Sequence, residues 1–192
     1  MKAHFSGVIV LVFIGFITSA AQAQNSPIDK KSINVGGLFS ISSMSGDLYG
    51  DVTQTQISFT PSFRYFIIRG LAVGGDLVFE RNSSGDSSST VVGIGPAITF
   101  AFDVKSDKFY PVVGAGFGYA NEISSWGGYW SGSSSSNGFQ IRFGGGVLYM
   151  LKRNLAITAG LDYYIQSLTP ENGDSQSGGV LAFSVGLAGF IY

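Results

Sequence analysis

The chain has no cysteine, and its one histidine, His4, lies at the extreme N-terminus. Without cysteine an exported protein has neither a disulfide framework nor thiolate chemistry. Charged residues make up 12% of the 192 residues, about half the globular norm of roughly 25%. After the N-terminal segment no stretch approaches the roughly eighteen unbroken apolar residues that a membrane-crossing helix needs. What is abundant is glycine, at 28 residues, and aromatic residues, at 14%. A chain that is apolar overall, but only at alternate positions, suits strands with one face in hydrocarbon.

The first residues are expected to be an export signal. Lys2 and His4 form a charged start, and Val8 to Ile17 form an apolar run too short to span a bilayer as a helix. Ala21-Gln22-Ala23 is a small-x-small cleavage site, so residues 1–23 are read as signal peptide and 24–192 as the single mature domain. Cleavage removes Lys2 and His4. The mature chain then carries ten lysines and arginines against twelve acids, a formal charge of −2. This predicts no basic field for nucleic acid or anionic lipid. Without histidine no histidine-based triad is possible, and without histidine or cysteine soft-metal sites are not expected.

The mature sequence has a rhythm of eight alternating segments: 32–43, 53–68, 71–80, 90–103, 109–120, 138–150, 155–168 and 178–192. Their connections alternate between long, polar, serine-rich stretches and short turns. That predicts an all-β fold, an eight-stranded antiparallel up-and-down transmembrane barrel with both termini on the short-turn, periplasmic side. Outward aromatics fall in two groups. Tyr65, Phe102, Phe109, Tyr149, Phe190 and Tyr192 lie near the short turns, and Phe59, Phe79, Phe117, Phe139 and Tyr163 lie higher. Nine residues at about 3.3 Å rise, tilted by about 40°, span roughly 23 Å, close to the apolar band of about 25 Å between aromatic girdles. Pro61, Pro96 and Pro111 fall inside the segments, where each removes a ladder donor, so bulges or local distortions are expected there.

Arg64, Asp76, Glu80, Asp103, Arg142 and Asp162 fall on the faces read as inward. Three-residue loops at Arg69–Leu71 and Leu151–Arg153 put Arg64 opposite Asp76, Thr60 opposite Glu80, and Arg142 opposite Asp162. On the lipid side an arginine at the bilayer midplane would cost about 2–4 kcal/mol; inside, it forks onto a carboxylate. These charges either form wall-to-wall ion pairs filling the lumen or line a narrow pore. Eight strands enclose room only for side chains or one small ligand. Inward glycines, among them Gly74, Gly114, Gly116 and Gly144, make room for the large charged groups or leave water-filled voids.

No motif in the chain carries catalysis. Gly114-x-Gly116-x-Gly118 sits mid-strand with no following helix, so it is wall rather than nucleotide loop. Asn82-Ser83-Ser84 is read as a loop tip. Asp47, Asp51, Asp86, Glu122 and Asp174 lack the spacing of a calcium loop. Trp126, Tyr129 and Trp130, set among serine and glycine, form either a recognition surface or interfacial anchors.

Three stretches resemble the small outer-membrane β-barrel family, OmpA/OmpX-like. They are Phe59-Thr60-Pro61-Ser62-Phe63-Arg64-Tyr65-Phe66-Ile67 with Leu71-Ala72-Val73-Gly74-Gly75, then Gly95-Pro96, then Phe109 to Tyr119. The resemblance covers the mature chain and transfers no catalytic residue, metal or cofactor. It implies recognition by the barrel-assembly machinery through Phe190 and Tyr192, although Leu187 stands where the family's signal has glycine. With Tyr192 the last residue, no peptidoglycan-binding domain is expected. The expected setting is a Gram-negative outer membrane with its lipid. The expected role is structural or interaction-based, through surface loops and without enzymatic activity. A porin-like channel for ions or small solutes is the alternative.

Overall fold

In the computed structural model the described residues are 26–45, 54–84, 87–126, 132–170 and 173–192. They form β1 (Ile33–Ser45), β2 (Gln54–Ile68), β3 (Leu71–Ser84), β4 (Ser87–Ala101), β5 (Phe109–Trp126), β6 (Gly132–Lys152), β7 (Leu155–Pro170) and β8 (Gln176–Ile191). Each strand pairs antiparallel with its sequence neighbours, and β1 pairs with β8, so the sheet closes with no free edge. Closure is what lets a sheet exist in lipid, where an unpaired strand edge would find no water.

The alternation behaves as read. On β2, Gln56, Ser58, Thr60, Arg64 and Phe66 are buried while Ile57, Phe59, Phe63, Tyr65 and Ile67 are exposed. β8 alternates in the same way from Gly178 to Phe190. The large apolar side chains therefore lie outside: Phe39 is 62% exposed, Ile57 66% and Phe183 52%. In water this would be an aggregation surface; in a bilayer it is the solvated face. Neighbouring rings pack across strands in the upper girdle, with centroids 4.8 Å apart for Phe39–Phe59 and 5.5 Å for Phe117–Phe139.

Several boundaries differ from expectation. β3 and β4 continue through residues read as loop, pairing Ser83 with Ser88 and Ser84 with Ser87. The segment 121–137 is mostly a hairpin, with β5 running to Trp126 and β6 starting at Gly132. Low apolar content marked these stretches as loops, but ladder hydrogen bonds between strands already aligned need no apolar face. Asn82-Ser83-Ser84 is accordingly the end of a strand, not a loop tip.

Both short hairpins have a different register from the three-residue loops expected. Arg69-Gly70 and Arg153-Asn154 are two-residue turns, each preceded by a register shift, between Phe66 and Ile68 and between Met150 and Lys152. Gly70 takes φ 82°, a left-handed conformation that a side chain disfavours. As a result Arg64 stands opposite Gly74, Ser58 opposite Glu80, and Arg142 opposite Tyr164. The slip is two residues, which preserves every face; a slip of one would have turned all the charges into lipid.

Pro61 and Pro96 distort without bulging. β2–β3 pairing lapses between Phe59 and Ser62, and β4–β5 pairing lapses between Ile94 and Ala97, with the register unchanged on either side. Each proline's strand keeps its other ladder, with Pro61 opposite Gly37 and Pro96 opposite Gly75. Pro111, near a strand start, sits in continuous pairing with β6.

The short-turn end is closed from below. Ser26–Ser32 turns under the barrel, and Ile28 is completely buried among Phe66, Ala72, Tyr110, Met150 and Phe190. The segment is held by backbone bonds from Gly70 N to Ile28 O (2.8 Å), Lys31 N to Phe66 O (2.8 Å) and Phe66 N to Ser32 O (2.9 Å). Phe190 is thus part of an internal apolar plug and not of the outer girdle, because its position on β8 has inward parity.

Candidate functional site

The interior is stacked in three layers. Above the apolar plug lies a charged belt, and above that a layer of amides and hydroxyls.

The belt unites residues from four strands. Asp76 on β3 is ion-paired with Arg64 Nη2 on β2 at 2.7 Å and with Arg142 Nη2 on β6 at 2.7 Å. Asp162 on β7 approaches Arg142 Nε only to 3.9 Å and takes its hydrogen bond from Ser184 Oγ at 3.3 Å. The two separate pairs expected, Arg64–Asp76 and Arg142–Asp162, are therefore one network with Asp76 at its centre. Arg142 reaches across because β3 and β6 face each other through the lumen. Arg64 also donates to the Phe63 and Gly75 carbonyls, each at 2.9 Å, and to Thr99 Oγ1 at 3.1 Å. A buried guanidinium satisfied in this way is held in one orientation. Gly144 makes the space: a methyl there would collide with the Asp162 carboxylate.

The upper layer holds Glu80, which accepts from Gln56, together with a hydrogen bond from Gln166 Nε2 to Gln140 Oε1 at 3.2 Å and a Ser40–Ser58 hydroxyl pair at 2.7 Å. Between belt and plug lies a cavity of about 140 Å³, bounded by Arg64, Asp76, Arg142 and Asp162 and by Asn34 and Thr158. The buried Asn34 Nδ2 and Thr158 Oγ1 make no hydrogen bond to protein. A space of this size with spare polar groups suits several waters. Both sequence alternatives for the inward glycines are thus realised: some make room for the ion network, and a void with several polar groups in its wall remains beside it.

Asp103 is not in the lumen. It follows β4, stands exposed, and pairs with Arg69 Nη2 at 2.5 Å, while Arg69 Nη1 reaches Asp29 at 3.4 Å. The Lys105 N–H and then the Arg69 guanidinium hold the Asp103 carboxyl below its ordinary value, and Asp103 and Asp29 in turn raise Arg69. Trp126 ends β5 opposite Gly132, whereas Tyr129 and Trp130 lie outside the described residues. Among the described residues no three acidic, histidine or cysteine side chains meet as a cation cage. The sequence does not show the central role of Asp76, the Ile28 plug or Tyr164 beside Arg142; the even spacing of inward strand positions hints at Asp76 and Tyr164, and nothing hints at Ile28.

A closed wall of eight strands, apolar outside and polar at its centre, defines a transmembrane β-barrel of the outer-membrane type. The chain belongs to the outer membrane protein beta-barrel domain family, whose model matches residues 9–188. Among solved structures it is similar to Neisserial surface protein A, with a TM-score of 0.68 at 18% identity, covering 83% of this chain and 99% of that one. It is also similar to Ail, the attachment invasion locus protein of Yersinia pestis (TM-score 0.55, 16% identity, 83% and 99% covered). The outer membrane protein OprG of Pseudomonas aeruginosa matches at a TM-score of 0.54 and 13% identity, with 88% and 100% covered. These likenesses establish the shared fold. No curated protein matches by sequence. Family membership implies the bacterial outer membrane as the protein's place.

Proposed function

We propose that this protein is a non-catalytic structural and interaction barrel, closed to solutes through its lumen, that meets its surroundings through the hairpins opposite the short turns. The observation that carries this reading is the filled interior. Ten buried apolar side chains close the short-turn end, and above them Asp76 is clamped between Arg64 and Arg142. A permeating ion would have to displace both layers. On the other side β5 and β6 extend well past the outward ring of Phe117, Tyr119 and Phe139, carrying a serine-rich ribbon towards Trp126. A wall that outruns its lipid belt on one side is built to present surface. Two proteins of this fold are themselves named for surface and attachment.

The test is planar-bilayer recording of the purified, refolded barrel. The expected trace is silent at moderate voltage. Discrete, reproducible steps would replace this reading with the rival small-solute channel, for which the polar cavity would be the natural starting point. Residues 1–23 are proposed to be removed during export, and N-terminal sequencing of the mature protein should start at Gln24. Phe190 and Tyr192 are proposed as the contact with the assembly machinery while the strand is still unpaired, before Phe190 becomes buried.

A further inference from the structure

The mature charge of −2 is an average over two unlike ends. The connections on the long side carry Asp47, Asp51, Asp86, Glu171 and Asp174, and no lysine or arginine. The short-turn end is the reverse. Lys30 and Lys31 precede β1, Lys105 and Lys108 lie between β4 and β5, and Lys152 and Arg153 mark the β6–β7 turn. All six are exposed, and among the described residues none forms an ion pair. Arg69 also lies here, but Asp29 and Asp103 already neutralise it. Six cations therefore ring one mouth, with Asp107 the one acid at that end outside the Arg69 pairings.

Two further observations bear on what the ring meets. First, the cations alternate with exposed apolar side chains. Val104 (47% exposed) precedes Lys105, Phe109 follows Lys108, and Leu151 (48% exposed) precedes Lys152. Stems lying along apolar surface with charged heads above it suit the boundary between hydrocarbon and headgroups. A soluble polyanion would give these apolar neighbours nothing to contact. Second, Lys31 and Lys105 have φ of 75° and 58°, and among the described residues no other non-glycine has a positive φ. Lysine is an uncommon occupant of that region, which favours glycine, asparagine and aspartate. Strain kept at both positions is consistent with a need for the charge.

We propose that this basic rim is a binding surface for anionic phospholipid headgroups in the leaflet on the short-turn side. The proposal stands independently of whether the lumen conducts. A juxtamembrane lysine or arginine attracts an anionic surface by an amount equivalent to about a fivefold change in affinity each. The net charge of the whole chain conceals this field because the opposed ends cancel.

The experiment measures lipid retained by the detergent-solubilised, folded barrel, offered equal amounts of short-chain phosphatidylglycerol and phosphatidylcholine. The wild type should retain phosphatidylglycerol severalfold over phosphatidylcholine, and the preference should collapse at high salt as screening shortens. Combining Lys105→Gln, Lys108→Gln, Lys152→Gln and Arg153→Gln should reduce the preference by at least about tenfold. Combining Lys105→Arg, Lys108→Arg and Lys152→Arg should keep it. These are exposed turn positions, so heat-modifiable gel migration should show all variants folded; should the neutral variant not fold, the salt series on the wild type decides alone. An unchanged ratio in the neutral variant, or no preference in the wild type, overturns the proposal. Retention of soluble polyphosphate with a lipid ratio near one overturns it too, in favour of a soluble polyanion.

Discussion

At the scale of single residues, Asp76 and Asp162 look interchangeable in sequence and are not so in space. Asp76 bridges two buried guanidinium groups, while Asp162 leans on a serine. Removing one partner of a buried ion pair leaves uncompensated charge. Asp76→Ala is therefore expected to lower stability by about 3–5 kcal/mol, and Asp162→Ala by only about 1 kcal/mol. Equilibrium urea unfolding in lipid vesicles measures both, and equal losses would show that the network does not centre on Asp76. Asp103 makes a second residue-scale prediction. Its folded carboxyl titrates below its unfolded value, so its contribution is present above the unfolded pKa and is lost as pH falls through the folded one. Carbon-detected NMR should find its midpoint below about 3.9, and Arg69→Gln should raise that midpoint. Since both groups are fully exposed, the consequence for global stability is small.

At the scale of elements, strand existence and facing were legible because the side-chain period of two is written in the sequence. Arg64 and Arg142 were placed inward on that ground, and inward they are. Register was not legible, because turn length and the adjoining irregularity together determine it, and no apolar pattern distinguishes slips of two. The serine-rich extensions of β3 to β6 look like loops in sequence for a similar reason: polar ladders above the lipid leave no hydrophobic signature. Ser26–Ser32 had no periodicity to read at all, yet it seals the barrel. Ile28→Ala should cost about 2–4 kcal/mol, as expected for truncating a fully enclosed isoleucine. A loss no larger than for truncating exposed Ile57 would show that the segment does not plug the mouth.

At the scale of the whole molecule, the chain is an inverted globule, with hydrocarbon as its preferred solvent and its polar groups enclosed. Transferred from detergent into plain buffer it should aggregate, and analytical ultracentrifugation should find no folded monomer. A stable monomer there would contradict the exposed apolar belt. The charge separation is also a property of this scale. The cations at the short-turn mouth fall in three local pairs separated from one another by whole strands, and they become a ring only when the meander closes.

By itself the sequence determined the fold class, the eight strands, the facing of most strand side chains, and the end of the barrel at which each turn lies. All of these follow from local alternation and connection length. Tertiary structure alone decided the rest of who meets whom: Arg142 reaching Asp76 from β6, Ile28 within the plug, and six cations around one mouth. These contacts depend on register and on closure of β1 against β8, and both are set by the whole sheet acting together, so no local stretch of residues encodes them.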